Sequence, residues 1–461
     1  MMATPIQPFS EIEPSKLEAI TPSQFITFTM QNTLKNRLHL CSPLLRIAVL
    51  DSPLHSADKS PVISAMIVPK DRETDWNFCT KSGHMQLLFK FHGLISRLIL
   101  IGNIPPVRGP FAYKRPSVTD RTNQEILENE LKPLLLSLHP KSSSLCDNGL
   151  PGTLFLKDDD DVAYRVTVDE IRGPIVGEIL VEDIQLLGYD DRNKQLRRRL
   201  RFQRMPQVLQ SQAILVAITG NNEATTPTDL ESLRKIESVR FEANTQILVH
   251  PYLIPMVWGL AKVASHLDML LKPRALCLGV GGGVLLNFLD TEMGFEVTGV
   301  ESDRVVLDVA TEYFGLNKTG SIRLVVGDAI FMIENVLPNY PPARFDVVFV
   351  DLDSSEAENG FCAPPPEFIK KPVFEGLRSA IDDGGVVIMN EAHLNQVLYA
   401  TMVKELKEIF HKVFLVYVED IENRVVIATV SPPSPVGIGN VFLMKLKSKF
   451  RNTYISSIDE L

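Results

Sequence analysis

LCLGVGGGVL, residues 276–285, decides the fold. An apolar run of strand character ends at Gly279, and Gly281, Gly282 and Gly283 separate it from a run suited to a helix. Glycine reaches positive φ and lets a ligand approach the backbone with no Cβ in the way. The N–H groups that open the following helix can then receive a carboxylate or a phosphate. Alone the pattern is ambiguous, because dinucleotide enzymes use the same device.

Outward from this turn the alternation is regular. A helix is expected over 253–270 before the first strand, and another over 285–290 after it. The strand EVTGVE (296–301), a helix over 304–314, IRLVVGDA (322–329), FDVVFVD (345–351), FEGLRSAI (374–381) and GVVIMNE (385–391) follow. Apolar strands alternating with amphipathic helices imply a parallel sheet covered on both faces, a doubly wound α/β fold. KVFLVYVED (412–420) and NRVVIATV (423–430) are joined by a short turn, so at least one of them runs antiparallel.

The strand ends carry acids in order. Glu301 closes the second strand about twenty residues after the glycines, where a carboxylate accepts hydrogen bonds from both ribose hydroxyls of an adenosine. Asp328, followed by Ala329, closes the third and suits an adenine amino group. Asp351 and Asp353 close the fourth beside the expected reversal of strand order, and open α/β sheets bind ligands outside that point. Gly279, Gly281, Gly282, Gly283, Glu301, Asp328, Ala329 and Asp351 make the candidate cofactor cradle. Asp351, Asp353 and Asn390 are the candidate catalytic residues.

Upstream the texture differs. Residues 1–43 are expected to be poorly ordered, and 44–216 to form a β-rich mixed domain from short runs such as AMIVP (65–69) and EILVEDIQLL (178–187). Residues 217–248 read as a connection, 249–430 as the α/β domain and 431–461 as a tail of open role. RNKQLRRRLRF (192–202) reads as a solvated strand or turn edge, with a docking patch for an acidic surface as the alternative.

Composition narrows the function classes. A charge of −9 over 461 residues argues against a general nucleic-acid binder. No apolar run approaches the roughly 18 residues of a membrane span. The five cysteines form no C-x-x-C pair, so neither a disulfide framework nor a structural zinc site is expected, and no metal is invoked. The expected setting is intracellular and cytoplasmic, with the oligomeric state left open.

FDVVFVDLDSSEAENGFCAPPPEFI (345–369) and VESDRVVLDVATEYFGL (300–316) resemble the methyltransferase-like protein 13 family, within the class I methyltransferases and their spermidine synthase relatives. The similarity extends through VPKDRETDWNFCTKSGHMQLL (68–88) and GEILVEDIQLLGYDDRNKQLRRRLRF (177–202). The resemblance implies a Rossmann-like, seven-stranded, mostly parallel sheet and S-adenosylmethionine as cofactor. It implies transfer of a methyl group to a protein amine, with translation elongation factor 1-alpha as substrate. Only one glycine-rich strand-turn-helix is present, so the match is to the family's C-terminal domain, whose implied acceptor is the processed N-terminal α-amine. The family's His-containing approach to the site is altered here to VHPYLIPMVWGL (249–260). Two other readings stand beside this one. Aminopropyltransferases resemble one another in carrying an acid where Gly282 stands, and a non-catalytic, cofactor-binding remnant would keep the fold.

Overall fold

The structure is a computed structural model. It describes residues 7–35, 39–55, 60–90, 94–106, 112–116, 124–142, 152–157, 160–188, 195–218, 229–318, 320–337, 344–353, 362–393, 396–418, 423–437, 439–450 and 458–461. The chain divides into two compact units, Met1–Thr167 with Gln203–Gln207, and Val168–Phe202 with Val208–Leu461.

In the first unit β1 (Phe25–Gln31), β2 (Leu44–Asp51), β3 (Ile63–Ile67), β4 (Arg97–Asn103) and β5 (Thr153–Leu156) pair in the order β1-β2-β4-β3-β5. Side chains alternate across a strand, and both faces here are apolar. Ile47, Val49, Ile99 and Ile101 pack on the side of α2 (Gln124–Ser137) with Leu127, Leu131 and Leu135. Ala48, Leu50, Leu98 and Leu100 pack on the side of α1 (Lys81–Phe89) with Met85 and Leu88.

Here the expectation for residues 1–43 is corrected. β1 pairs antiparallel along β2, and Phe28 is fully buried. Buried Arg97 binds the Asp51 carboxylate at 2.6 Å and donates to the Leu17, Ala19 and Leu138 carbonyls. A buried guanidinium needs all those acceptors, and this demand fixes the early chain.

The second unit contains two sheets. β6 (Val162–Gly173) enters it at Val168 and leads an antiparallel run through β7 (Gly177–Leu186), β8 (Leu196–Phe202), β9 (Leu209–Ile218) and β10 (Arg240–Asn244). Ile179, Val181, Leu200, Phe202 and Ala213 share one core with Val284, Leu285, Val306 and Phe314. That shared burial is why the division falls inside β6 and not within the connection expected over 217–248. Residues 219–228 of that connection, like most of the loop expected near 141–152, lie outside the described residues.

The basic run is also corrected. β8 lies between β7 and β9 and is not an edge. Arg198 is buried against Asp183 at 2.7 and 3.0 Å, and Arg201 is buried against Glu182. Arg199 donates to Gln212 and Arg197 to Gln195. Arg198, Arg199 and Arg201 are committed within the sheet, so neither the solvated-edge nor the docking-patch reading holds for these three, and residues 192–194 of the run lie outside the described residues.

The larger sheet is the one expected from the glycine turn. β11 (Arg274–Leu278), β12 (Glu296–Glu301), β13 (Arg323–Val326), β14 (Phe345–Val350), β15 (Ile381–His393), β16 (Lys412–Tyr417), β17 (Arg424–Thr429) and β18 (Ile458–Glu460) run in the order β13-β12-β11-β14-β15-β17-β16-β18. The first five are parallel; β17 pairs antiparallel with both β15 and β16. The first seven strands of that order, up to β16, are the expected seven. β18 adds an edge, and the two-residue strand Cys362–Ala363 pairs β15.

The helix expected over 304–314 has those bounds, whereas the one over 253–270 is broken into α3 (Leu253–Trp258), a 3-10 turn (Gly259–Val263) and a helical turn (Ala264–Leu267). Among the described residues, no helix is long and apolar enough to cross a membrane.

Asp303 joins the two sheets of this unit. Its side chain caps the helix Arg304–Phe314 by accepting from Val305 N–H at 3.0 Å. It also accepts from the N–H groups of Ile175 and Val176, at 2.8 and 3.0 Å, in the turn between β6 and β7. Losing a cap costs about 1 kcal/mol, and a buried donor left without an acceptor about 1–3 kcal/mol. Asp303→Ala is therefore expected to cost about 3 kcal/mol, read as a lower urea midpoint. A midpoint within error of wild type would show that these bonds stabilise little.

Candidate active site

Strand-end hydrogen bonds assemble the site. Gly279 N–H donates to the Val300 carbonyl, Gly327 N–H to Glu301 and Asp351 N–H to Leu278, each at 2.9 Å. The carboxyl ends of β11, β12, β13 and β14 therefore lie side by side, with the order reversing at β11. At Gly279, φ is +87°, and an added Cβ would lie 2.0 Å from the Asp351 carbonyl oxygen. Only glycine permits that approach.

The structure gathers most of the predicted residues along this edge. Glu301 accepts from Val280 N–H at 3.2 Å and from Ser302 and Asp303, so it is tied to the glycine turn. An ionised carboxylate has about four acceptor positions, which leaves capacity for a diol. Asp328 is exposed and caps the short helix Ala329–Phe331 by accepting from Phe331 N–H at 2.7 Å, while Ala329 is buried. Gly281 and Gly283 have positive φ, as a cradle around a ligand requires.

Asp351 is the most heavily engaged carboxylate. Tyr252 donates to its Oδ2 at 3.1 Å, and Asn390 donates to its Oδ1 at 3.0 Å. Burial pushes its pKa up to about 6, against the lowering effect of the Asn390 and Tyr252 bonds, and Asp353 adds to the rise. Asp353 accepts from Gln210 at 3.1 Å. Asn390 lies inside β15 and not at its end, and its own carbonyl accepts from Asn423 at 2.9 Å.

Three contributors were missed from the sequence. Tyr252 comes from the segment before α3, and Gln210 and Ser211 come from β9. Ser211 Oγ accepts from Gly282 N–H at 2.8 Å, and a Cβ at Gly282 would lie 2.8 Å from the Ser211 Cβ. Nothing local in QVLQSQAIL marks those two residues, since their role depends on β9 packing over the glycine turn. For Tyr252 the signal was the altered VHPY stretch, read only as a changed entrance.

The chain is similar in sequence to several known proteins. Residues 273–432 match the spermine/spermidine synthase domain. The chain is 27% identical over 388 residues to the eEF1A lysine and N-terminal methyltransferase of Xenopus laevis, covering 82% of this chain and 52% of that protein. It is 30% identical over 134 residues to spermidine synthase 2 of Hyoscyamus niger, covering 27% of this chain and 40% of that one. A solved structure of human methyltransferase-like protein 13 in complex with SAH aligns at 22% identity and a TM-score of 0.39, covering 45% of this chain and 98% of that one. The chain spans about half the length of the methyltransferase relatives it matches.

The crowding at Gly282 is open to test. Gly282→Asp forces a side chain into Ser211, and overpacking of this kind costs about 1–3 kcal/mol. The melting temperature is expected to fall by about 3–10 °C, and Ser211→Gly in the same chain is expected to restore part of the loss. An unchanged melting temperature in Gly282→Asp would show that the turn has room for a side chain.

Proposed function

We propose that this chain is an S-adenosylmethionine-dependent protein methyltransferase acting on the N-terminal α-amine of translation elongation factor 1-alpha. The observation that carries the proposal is Asp351 and Asp353 at the end of β14, beside a glycine turn whose neighbouring Glu301 is bonded to it. The names of the full-length relatives support the substrate.

The residues fit the cofactor. Gly279 lets the Asp351 backbone close against the turn, and Gly281 and Gly283 give that turn its positive-φ backbone. Glu301 would hold the ribose hydroxyls, with Gly282, Asp328 and Ala329 completing the adenosine side. Bound there, S-adenosylmethionine supplies an electrophilic methyl group.

The chain's own part is to present a neutral amine in line with that group, and positioning alone can remove much of such a barrier. An α-amine has an ordinary pKa of about 7.7–8.0, so a useful fraction is neutral near pH 7 and no strong base is needed. Asp353 and Asp351 would accept N–H bonds from the amine and orient its lone pair. Asn390 is spent on Asp351 through one amide hydrogen, so its contribution is to aim that carboxylate. The cytoplasm, where this substrate would be met, is the proposed site of action.

The domain match also raises the aminopropyltransferase reading. The acid those enzymes resemble one another in carrying at the Gly282 position has no room here, because Ser211 occupies the space.

The decisive assay is methyl transfer from labelled S-adenosylmethionine to elongation factor 1-alpha with a free processed N-terminus, against the same protein N-terminally blocked. Label is expected on the free form only. Asp351→Ala and Asp353→Ala are each expected to lower turnover by about 100-fold, in line with the cost of misplacing a reacting group. Label on neither form, with cofactor still bound, would remove the substrate assignment and leave the fold untouched.

A further inference from the structure

The Asp351 carboxylate is held by neutral groups from two separate stretches of chain. Tyr252 stands at the N-cap of α3, is 8% exposed, and directs its hydroxyl at Oδ2. Asn390 on β15 directs its amide nitrogen at Oδ1. A side-chain amide can present either its carbonyl or its NH2, and the wrong face would set an oxygen against the carboxylate. Asn423, immediately before β17, removes that freedom by donating to the Asn390 carbonyl at 2.9 Å.

We infer that Tyr252 and Asn423 are positioning residues that keep Asp351 ionised and aimed, Tyr252 directly and Asn423 through Asn390. The inference rests on the reading of Asp351 as the carboxylate that orients the acceptor amine. Tyr252 does not itself serve as a base. Burial and the neighbouring Asp351 raise its pKa well above the ordinary tyrosine value, so it is a proton donor throughout the working range.

The other groups facing Asp351 leave this task to neutral donors. Asp353, two residues on, repels a second negative charge and favours the protonated form of Asp351. The Cys277 thiol, on adjacent β11, is buried and held protonated. The His250 ring lies 4.3 Å from the Tyr252 ring, with Nε2 against the Leu209 carbonyl. Burial pushes its pKa down to about 4, so it brings no positive charge near neutrality. Burial and Asp353 thus push Asp351 towards its neutral form, while Tyr252 and Asn390 pull it back.

The test is a titration of the full chain labelled with 13C at the aspartate carboxyl carbons, with the Asp351 signal identified by its loss in Asp351→Asn. Tyr252→Phe removes one donor without changing the ring, and is expected to move the Asp351 midpoint up from about 6 by about one unit. Asn423→Ala frees Asn390 to rotate and is expected to move it the same way by less. The acid limb of kcat/KM should follow both shifts, which a purely structural role would not produce. Midpoints superimposing on wild type in both variants, with melting temperatures retained, would overturn the inference. Shifted midpoints in a chain that methylates no amine would support the inference and remove the reading of Asp351 as an amine-orienting group.

Discussion

Gly279 is where the carboxyl-terminal edge of the larger sheet is made. The backbone of Asp351 occupies the place a side chain at position 279 would need. That close approach brings the end of β14 against the end of β11, at the point where the strand order turns back. Every other feature of the site is arranged around it. The glycine turn can curl over the edge, Glu301 can reach the Val280 N–H, and Asp351 emerges beside both. A methyl group added at Gly279 would push apart the two central strands, since there is no flexible side chain there to yield.

The same edge concentrates negative charge. Glu301, Asp351 and Asp353 would repel one another if they were left to solvent alone. Here Glu301 takes backbone N–H groups, Asp353 takes an amide from Gln210, and Asp351 takes a phenol and an amide. None of these donors carries a full charge. A lysine or arginine would have stabilised the carboxylates more strongly, but it would have repelled a cationic ligand. Dipolar donors stabilise the acids and leave the field attractive to a positively charged one. Arg424, the cation nearest in sequence to Asn423, is turned away to Glu391 and the Tyr399 ring.

What was legible in the sequence is what depends on local pattern. Alternating apolar strands and amphipathic helices announced the parallel sheet, and the turn between β16 and β17 announced its antiparallel end. Acids at successive strand ends could be placed because strand and loop lengths are short there. What depends on distant segments was not legible. Tyr252 meets Asp351 across 99 residues and Gln210 meets Asp353 across 143. The early chain looked unstructured because β1 is ordered by β2, and Leu17 and Ala19 by Arg97, both supplied later in the chain. Arg198, Arg199 and Arg201 looked like surface because their partners lie on β7 and β9, out of reach of any local reading.

Those arginines make the antiparallel sheet β6–β10 an unusually unambiguous pairing. Arg198 lies opposite Asp183, and Arg199 opposite Glu182. A slip of one residue between β7 and β8 would turn every side chain to the other face. It would also strand a buried guanidinium and a buried carboxylate apart, and separating such a pair costs about 3–5 kcal/mol. Apolar alternation alone specifies a face but tolerates a slip of two. The Arg198–Asp183 ion pair does not tolerate it, because a two-residue shift carries Arg198 from Asp183 to Val181 or Gln185. The charges therefore act as an alignment code for the strands that carry Gln210 and Ser211 to the glycine turn.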